Sequence, residues 1–161
     1  MITQERLKEL VSYDAETGVF TRLTTTQGAR AGSIAGGFNW KGYWLICVDG
    51  NRCRAHRLAW LYMYGKMPED QLDHINHDKV DNRISNLREV TNSVNHRNMK
   101  KPSNNTSGVA GLFWWDDRQV WQTFIGSRPR KSLGNYKDFF EAVCARKSAE
   151  RKLNYHINHG K

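Results

Sequence analysis

Residues able to handle phosphate chemistry recur at a defined spacing midway along the chain. Asp73 stands beside His74, Asn86 follows Asp73 by 13 positions, and Asn95 follows it by 22. A carboxylate next to an imidazole, with amide oxygens returning from a later helix, suits a divalent cation and a general base acting on one phosphate. An isolated Asp-His pair would say little, because such pairs also occur as satisfied surface contacts. Here the pair sits in a chain of 161 residues with a formal net charge of +9 and a pI near 9.7. That balance points to a polyanion. Nucleic acid comes before membrane, since no basic helix with a greasy face stands out.

Local elements are needed to hold these residues. Gln71-Leu72-Asp73 reads as a short strand, residues 75–85 as a polar loop, and Leu87–Val90 as a second strand. Thr91 is a good N-cap for a helix over Asn92–Met99. This strand, loop, strand, helix order is a ββα unit, with Asp73 and His74 at one strand end and Asn95 about one turn into the helix.

Upstream, residues 4–12 carry Leu7, Leu10 and Val11 at helical spacing. Residues 13–18 form a turn into a short strand at 19–22, and the Thr, Gly and Ala of 24–37 read as loop. Tyr43–Val48, Asp49-Gly50 and Arg52–Ala55 spell a hairpin. Arg52 and Arg54 alternate onto one face, either solvated or turned to DNA. His56–Tyr64 is a helix ended by Gly65 and Pro68; His56 opens it as a structural histidine or a phosphate contact.

Three cysteines, Cys47, Cys53 and Cys144, are too few and too widely spaced for a disulfide framework or a structural zinc site. Cys47 and Cys53 read as small apolar fillers in the hairpin. Neither an apolar N-terminal run nor a spanning stretch is evident, so a cytoplasmic location is expected.

Downstream, residues 100–107 read as a linker whose Lys100 and Lys101 could pair with phosphates. Gly111–Trp115, Val120–Ile125 and Lys131–Tyr136 read as three strands. Asp138 precedes a helix from Phe139 to Asn154, on which Phe139, Ala142, Ala145, Ala149 and Leu153 make a narrow stripe. Arg146, Lys147, Arg151 and Lys152 are assigned to its other face. Residues 101–161 carry a balance of +6 against +3 for the rest, so the tail is the denser electrostatic anchor.

The block Asp73-His74-Ile75-Asn76, then Asp81-Asn82-Arg83-Ile84-Ser85-Asn86-Leu87-Arg88, then Asn95, resembles the HNH endonucleases, in particular the homing-type enzymes of phages. Tyr13-Asp14, Gly42-Tyr43 and His56-Arg57-Leu58-Ala59-Trp60 look like the N-terminal part of that group. The last third is similar to the Apetala/ethylene-response-factor DNA-binding domain through Ser107-Gly108-Val109, Trp114, Trp121, Leu133-Gly134 and Ala145-Arg146. The first resemblance implies His74 as general base, Asp73 and Asn95 as ligands of one divalent cation, and Asn86 as the residue that pins the loop behind His74. His96, beside Asn95, is the alternative ligand. An all-oxygen set favours Mg²⁺ or Mn²⁺, with no structural zinc. His77 stands where relatives often have Gly. The second resemblance implies a sheet set in the DNA major groove.

The expected architecture is α+β: a small N-terminal sheet plus a ββα-metal unit, then a three-stranded antiparallel sheet packed on one long helix. The nuclease domain is expected over 1–99, with its ββα core at about 70–99, and the DNA-binding domain over 108–156. Arg54, Arg57, Arg88, Arg97, Lys100, Lys101, Arg118, Trp121, Arg128, Arg130 and Lys131 are the candidate DNA contacts. Trp121 could equally be core, and Trp115 stays open. The expected activity is metal-dependent hydrolysis of double-stranded DNA by a monomer, nicking one strand, in the cytoplasm of a phage-infected bacterium. The rival reading is a non-catalytic DNA-binding regulator that keeps the fold; an RNA-binding factor is a third.

Overall fold

The computed structural model describes residues 2–26, 28–126 and 129–161. The chain divides into two compact units, Met1–Thr91 and Asn92–Lys161. Both are mixtures of small antiparallel sheets and helices, in keeping with the α+β expectation.

The first unit opens with α1 (Gln4–Leu10), capped by the Thr3 hydroxyl, which accepts from the Arg6 amide. The expected helix to residue 12 stops two residues early. Val11 is extended and pairs with Arg22, so β1 (Val11–Tyr13) and β2 (Phe20–Arg22) form a hairpin. The stretch read as loop contains a short strand, β3 (Gly37–Phe38), along the edge of β4 (Trp44–Val48); β5 (Asn51–Arg54) completes that sheet. Asp49 and Gly50 both have positive φ, as a two-residue hairpin turn demands. Cys47 is exposed, not a core filler.

Helix α2 (Ala55–Tyr64) buries Ala55, Leu58, Ala59 and Leu61 and ends on Gly65 in the left-handed conformation. These join Leu7, Val11, Phe20, Ala35, Ile46, Val48 and Leu87 in one apolar core. The two-stranded ribbon of β6 (Gln71–His74) and β7 (Leu87–Val90) is anchored through Leu87, and a 3₁₀ turn at Ile84–Asn86 leads into β7.

The second unit starts with α3 (Asn92–His96), shorter than the expected helix to Met99. Residues 97–99 are instead tied to the chain's last segment. The His156 amide donates to the Arg97 carbonyl, the Gly160 amide donates to the Met99 carbonyl, and the Arg97 guanidinium donates to the Leu153 carbonyl. Strands β8 (Leu112–Trp115), β9 (Val120–Ile125) and β10 (Lys131–Tyr136) form an antiparallel meander with β9 central. Helix α4 (Phe139–Lys152), capped by Asp138, packs on this sheet.

Helical geometry puts residues 142, 146 and 150 on one face. That face is the buried one, so Arg146 points inward rather than outward. Its guanidinium pairs with Glu150 at 2.8 Å, donates to the Phe124 carbonyl, and lies 3.1 Å from His159 Nε2. The buried charge is thereby matched and hydrogen-bonded. Among the described residues, no helix is long and apolar enough to cross a membrane.

Candidate active site

In the β6–β7 ribbon Asp73 lies opposite Arg88, and His74 opposite Leu87. Side chains alternate along a strand, so the carboxylate and the imidazole leave on opposite faces. The Asp73 carboxylate takes two hydrogen bonds from Arg88 on Oδ2, from Nη2 at 2.8 Å and Nε at 3.1 Å. Arg88, expected as a DNA contact, is thus engaged with the candidate metal ligand.

His74 turns toward the interior and is only 6% exposed. Its ring stands edge-on to His56, with centroids 4.9 Å apart, and 6.4 Å from the Tyr43 ring. Asn82 Oδ1 lies 3.4 Å from His74 Nε2. Burial lowers the His74 pKa below the usual histidine range, and the Asn82 contact and the carboxylates of Asp73, Asp78 and Asp81 only partly offset it. At neutral pH the imidazole is therefore uncharged, the form that can accept a proton.

His56 is more deeply perturbed. It is 4% exposed, and burial, followed by His74, Arg54 and Arg57, pulls its pKa down to about 3. It sits at the N-terminus of α2, where a charged imidazole would also oppose the helix dipole. Its burial, rather than its place in the sequence, sets His56 among packed neutral groups.

Asn86 ties the loop between the two strands. Its Oδ1 accepts from the Asn76 amide (3.0 Å), its Nδ2 donates to the Asp81 carbonyl (2.8 Å), and its carbonyl accepts from the Ile75 amide (2.9 Å). Asp81 takes bonds from Asn76 Nδ2 and from Arg83, which hold its carboxyl below the usual range, with the Arg83 contact dominant. His77 has φ +66°, which explains why glycine suits that position.

Asn82, quoted in the motif but given no role from sequence, is buried. Its Nδ2 donates to the Val80 carbonyl, and its own carbonyl accepts from the Tyr13 hydroxyl at 2.7 Å. Gly18 leaves room for this segment: a Cβ there would lie 2.5 Å from the Arg83 nitrogen, and its φ is +74°. The β1–β2 turn is thus moulded to the loop that carries Asn82.

Asn95 and His96 belong to α3 in the second unit, where Asn95 is half-buried and His96 exposed, with His96 Nδ1 3.0 Å from Met99 Sδ. Among the described residues no group of three His, Cys, Asp or Glu side chains could hold a metal ion. Asp73 fits a hard cation in donor type, with Arg88 as a neighbouring positive charge.

The remaining candidate contacts fall into two groups. In the first unit Arg54 stacks over Tyr43 at 4.6 Å, while Arg57 is half-buried. In the second, Trp121 packs on Phe139 of α4 (4.8 Å) and on Trp114 (5.1 Å), so both tryptophans face the helix. The opposite sheet face carries Phe113, Trp115 and Phe124. Arg118 lies 4.2 Å over Trp115, and Arg130 lies 5.6 Å over Phe113. Lys100, Lys101 and Lys131 are exposed, and Lys101 also donates to the Gly108 carbonyl. Arg128 lies outside the described residues.

Comparison with known proteins adds two matches. The HNH endonuclease family model matches residues 53–97. Protein 3.8 of Escherichia phage T7 is 29% identical over 102 residues, spanning 63% of this chain and 84% of that protein. No solved structure matches. The matched segment runs from β5 to just beyond α3 and includes His56, Asp73, His74, Asn82, Asn86 and Asn95.

Proposed function

We propose that the chain is a metal-dependent DNA endonuclease of homing type that nicks one strand of a duplex. The observation that supports this most is the placement of His74, whose ring is fixed between His56 and Asn82 inside the segment that the HNH family model matches. In this reading His74 takes a proton from a water molecule as that water attacks phosphorus. The bond to the 3′ oxygen breaks and that oxygen takes a proton from solvent water, leaving a 3′-hydroxyl and a 5′-phosphate. Asn86 fixes the loop so that the imidazole keeps its aim, and Asn82 selects the ring orientation. Asp73 is the proposed cation ligand, which requires Arg88 to yield Oδ2 or the cation to use Oδ1, with Asn95 proposed as the second oxygen donor on sequence grounds. When bound, Mg²⁺ or Mn²⁺ supplies positive charge to the phosphate and the leaving oxygen.

In the second unit the outer face of the β8–β10 sheet, with Arg118 and Arg130 over aromatic rings, is the proposed DNA anchor, with Arg97, Lys100, Lys101, Arg128 and Lys131 as further proposed contacts; Arg54 and Arg57 are separate proposed contacts of the first unit. The chain would act as a monomer in the cytoplasm of a phage-infected bacterium. A non-catalytic DNA-binding regulator is the second reading, favoured by one observation: the Arg88 guanidinium already pairs with Asp73. Incubation of supercoiled plasmid with Mn²⁺ or with EDTA distinguishes them. Metal-dependent conversion to open circles supports the nuclease, and binding without conversion supports the regulator.

A further inference from the structure

The β3–β4 turn carries Trp40, the most exposed large apolar side chain among the described residues, at 89%. The turn is not loose. The Gly42 amide donates to the Asn39 carbonyl (3.0 Å), and the Asn39 amide donates to the Tyr43 carbonyl (2.9 Å). Asn39 Oδ1 accepts from the amides of Lys41 and Tyr43 at 3.0 and 2.9 Å. Gly42 takes φ +77°, which closes the turn without strain. A rigid frame therefore holds an indole out in water, where its apolar surface gains nothing.

The surroundings are cationic. The Lys41 ammonium lies 4.7 Å from the Trp40 ring centre, and the Tyr43 ring just behind is flanked by Arg54 at 4.6 Å and Lys79 at 4.8 Å. Lys79 Nζ also donates to the Lys41 carbonyl at 3.1 Å, which joins the tip to the loop between β6 and β7. The nearby carboxylate of Asp78 is turned into that loop, accepting from the Val80 amide. Tyr43 in turn leads to His74, 6.4 Å away between ring centroids. An exposed planar aromatic with Lys41 against it, followed by a tyrosine that carries two further cations and leads toward the proposed active site, matches one kind of partner well: a polyanion with stacked planar groups inside it.

We propose that Trp40 is a wedge that enters between stacked base pairs of duplex DNA, while Lys41, Lys79 and Arg54 hold the flanking phosphates. The inference rests on the nuclease reading and deepens it, because it makes a locally unstacked duplex the form of substrate offered to His74. Apolar side chains pushed into a base step bend DNA at the cost of unstacking, so DNA already opened there should bind more tightly.

The test measures affinity of the full chain, in metal-free buffer, for a mixed-sequence duplex and for the same duplex with one extrahelical adenine. The wild-type chain should prefer the bulged duplex by about tenfold, a fraction of the unstacking cost. Trp40→Ala should bind both duplexes alike, and Trp40→Phe should keep most of the preference. Equal wild-type affinity for the two duplexes, or an undiminished preference in Trp40→Ala, overturns the wedge. The nuclease reading fails separately, through absence of metal-dependent nicking, which leaves these affinities unaltered. Absence of binding to either duplex overturns both.

Discussion

Acid should weaken the first unit through His56. The folded chain holds this ring uncharged down to about pH 3, whereas an unfolded chain protonates it near the ordinary value of 6.5. Between those values the unfolded state binds the extra proton, so stability rises with pH in that window and is lost as pH falls through 6.5 toward 3. Each pH unit fully inside the window is worth about 1.4 kcal/mol. From pH 7 to pH 5 the loss from this one group is about 2 kcal/mol, a large part of the stability of a small domain. His56→Leu keeps a buried side chain of similar volume at the start of α2 but has nothing to titrate. In urea melts the wild-type transition of this unit should move to lower denaturant by about 1 M between pH 7 and pH 5. The variant should move much less, any remainder coming from carboxylates and His74. Equal shifts in the two proteins would refute the argument that burial keeps His56 neutral.

Other expectations follow from single contacts. Gly18→Ala places a Cβ against the Asn82–Arg83 backbone in a left-handed conformation. It should cost about 2–4 kcal/mol and reduce nicking even at temperatures where the chain stays folded, as melts paired with nicking rates would show. Asn82→Leu removes the oxygen near His74 Nε2 and leaves the shape close to constant. Nicking should fall by about tenfold to a hundredfold, with DNA affinity unchanged in a filter-binding assay. Arg146→Ala leaves Glu150 with Lys147 as its remaining cationic partner and removes the donor to the Phe124 carbonyl; it should destabilise the second unit by about 1–3 kcal/mol, measured by urea unfolding.

Much of the second unit was legible because its signals are local. The three strands alternate, their turns are marked by polar residues, and Asp138 caps a helix with an alanine stripe. The tertiary role of Arg146 was not, because a charge at a helical position reads as solvent-facing unless its partners are known. Here Glu150 lies one turn on, but the Phe124 carbonyl and His159 come from distant positions. In the first unit the Asp73-His74 strand, the loop and the returning strand were legible from their spacing. What spacing cannot give is the direction of a ring. The contacts of His74 with His56, from α2, and with Asn82, from the far side of the loop, exist only once Leu87 and Leu58 have joined the core. The end of α1 at Leu10 was likewise decided by pairing of Val11 with Arg22, a tertiary choice that overrode helical periodicity.

The proton acceptor at residue 74 is the centre of the account, and nicking by His74→Ala tests it most directly. Supercoiled plasmid is incubated with wild-type and variant chains in Mn²⁺ or Mg²⁺, with EDTA as control and DNA binding measured in parallel. The account predicts open circles from the wild type only when metal is present, none from His74→Ala, and nearly equal DNA affinity for the two. Nicking by the variant at the wild-type rate would contradict it.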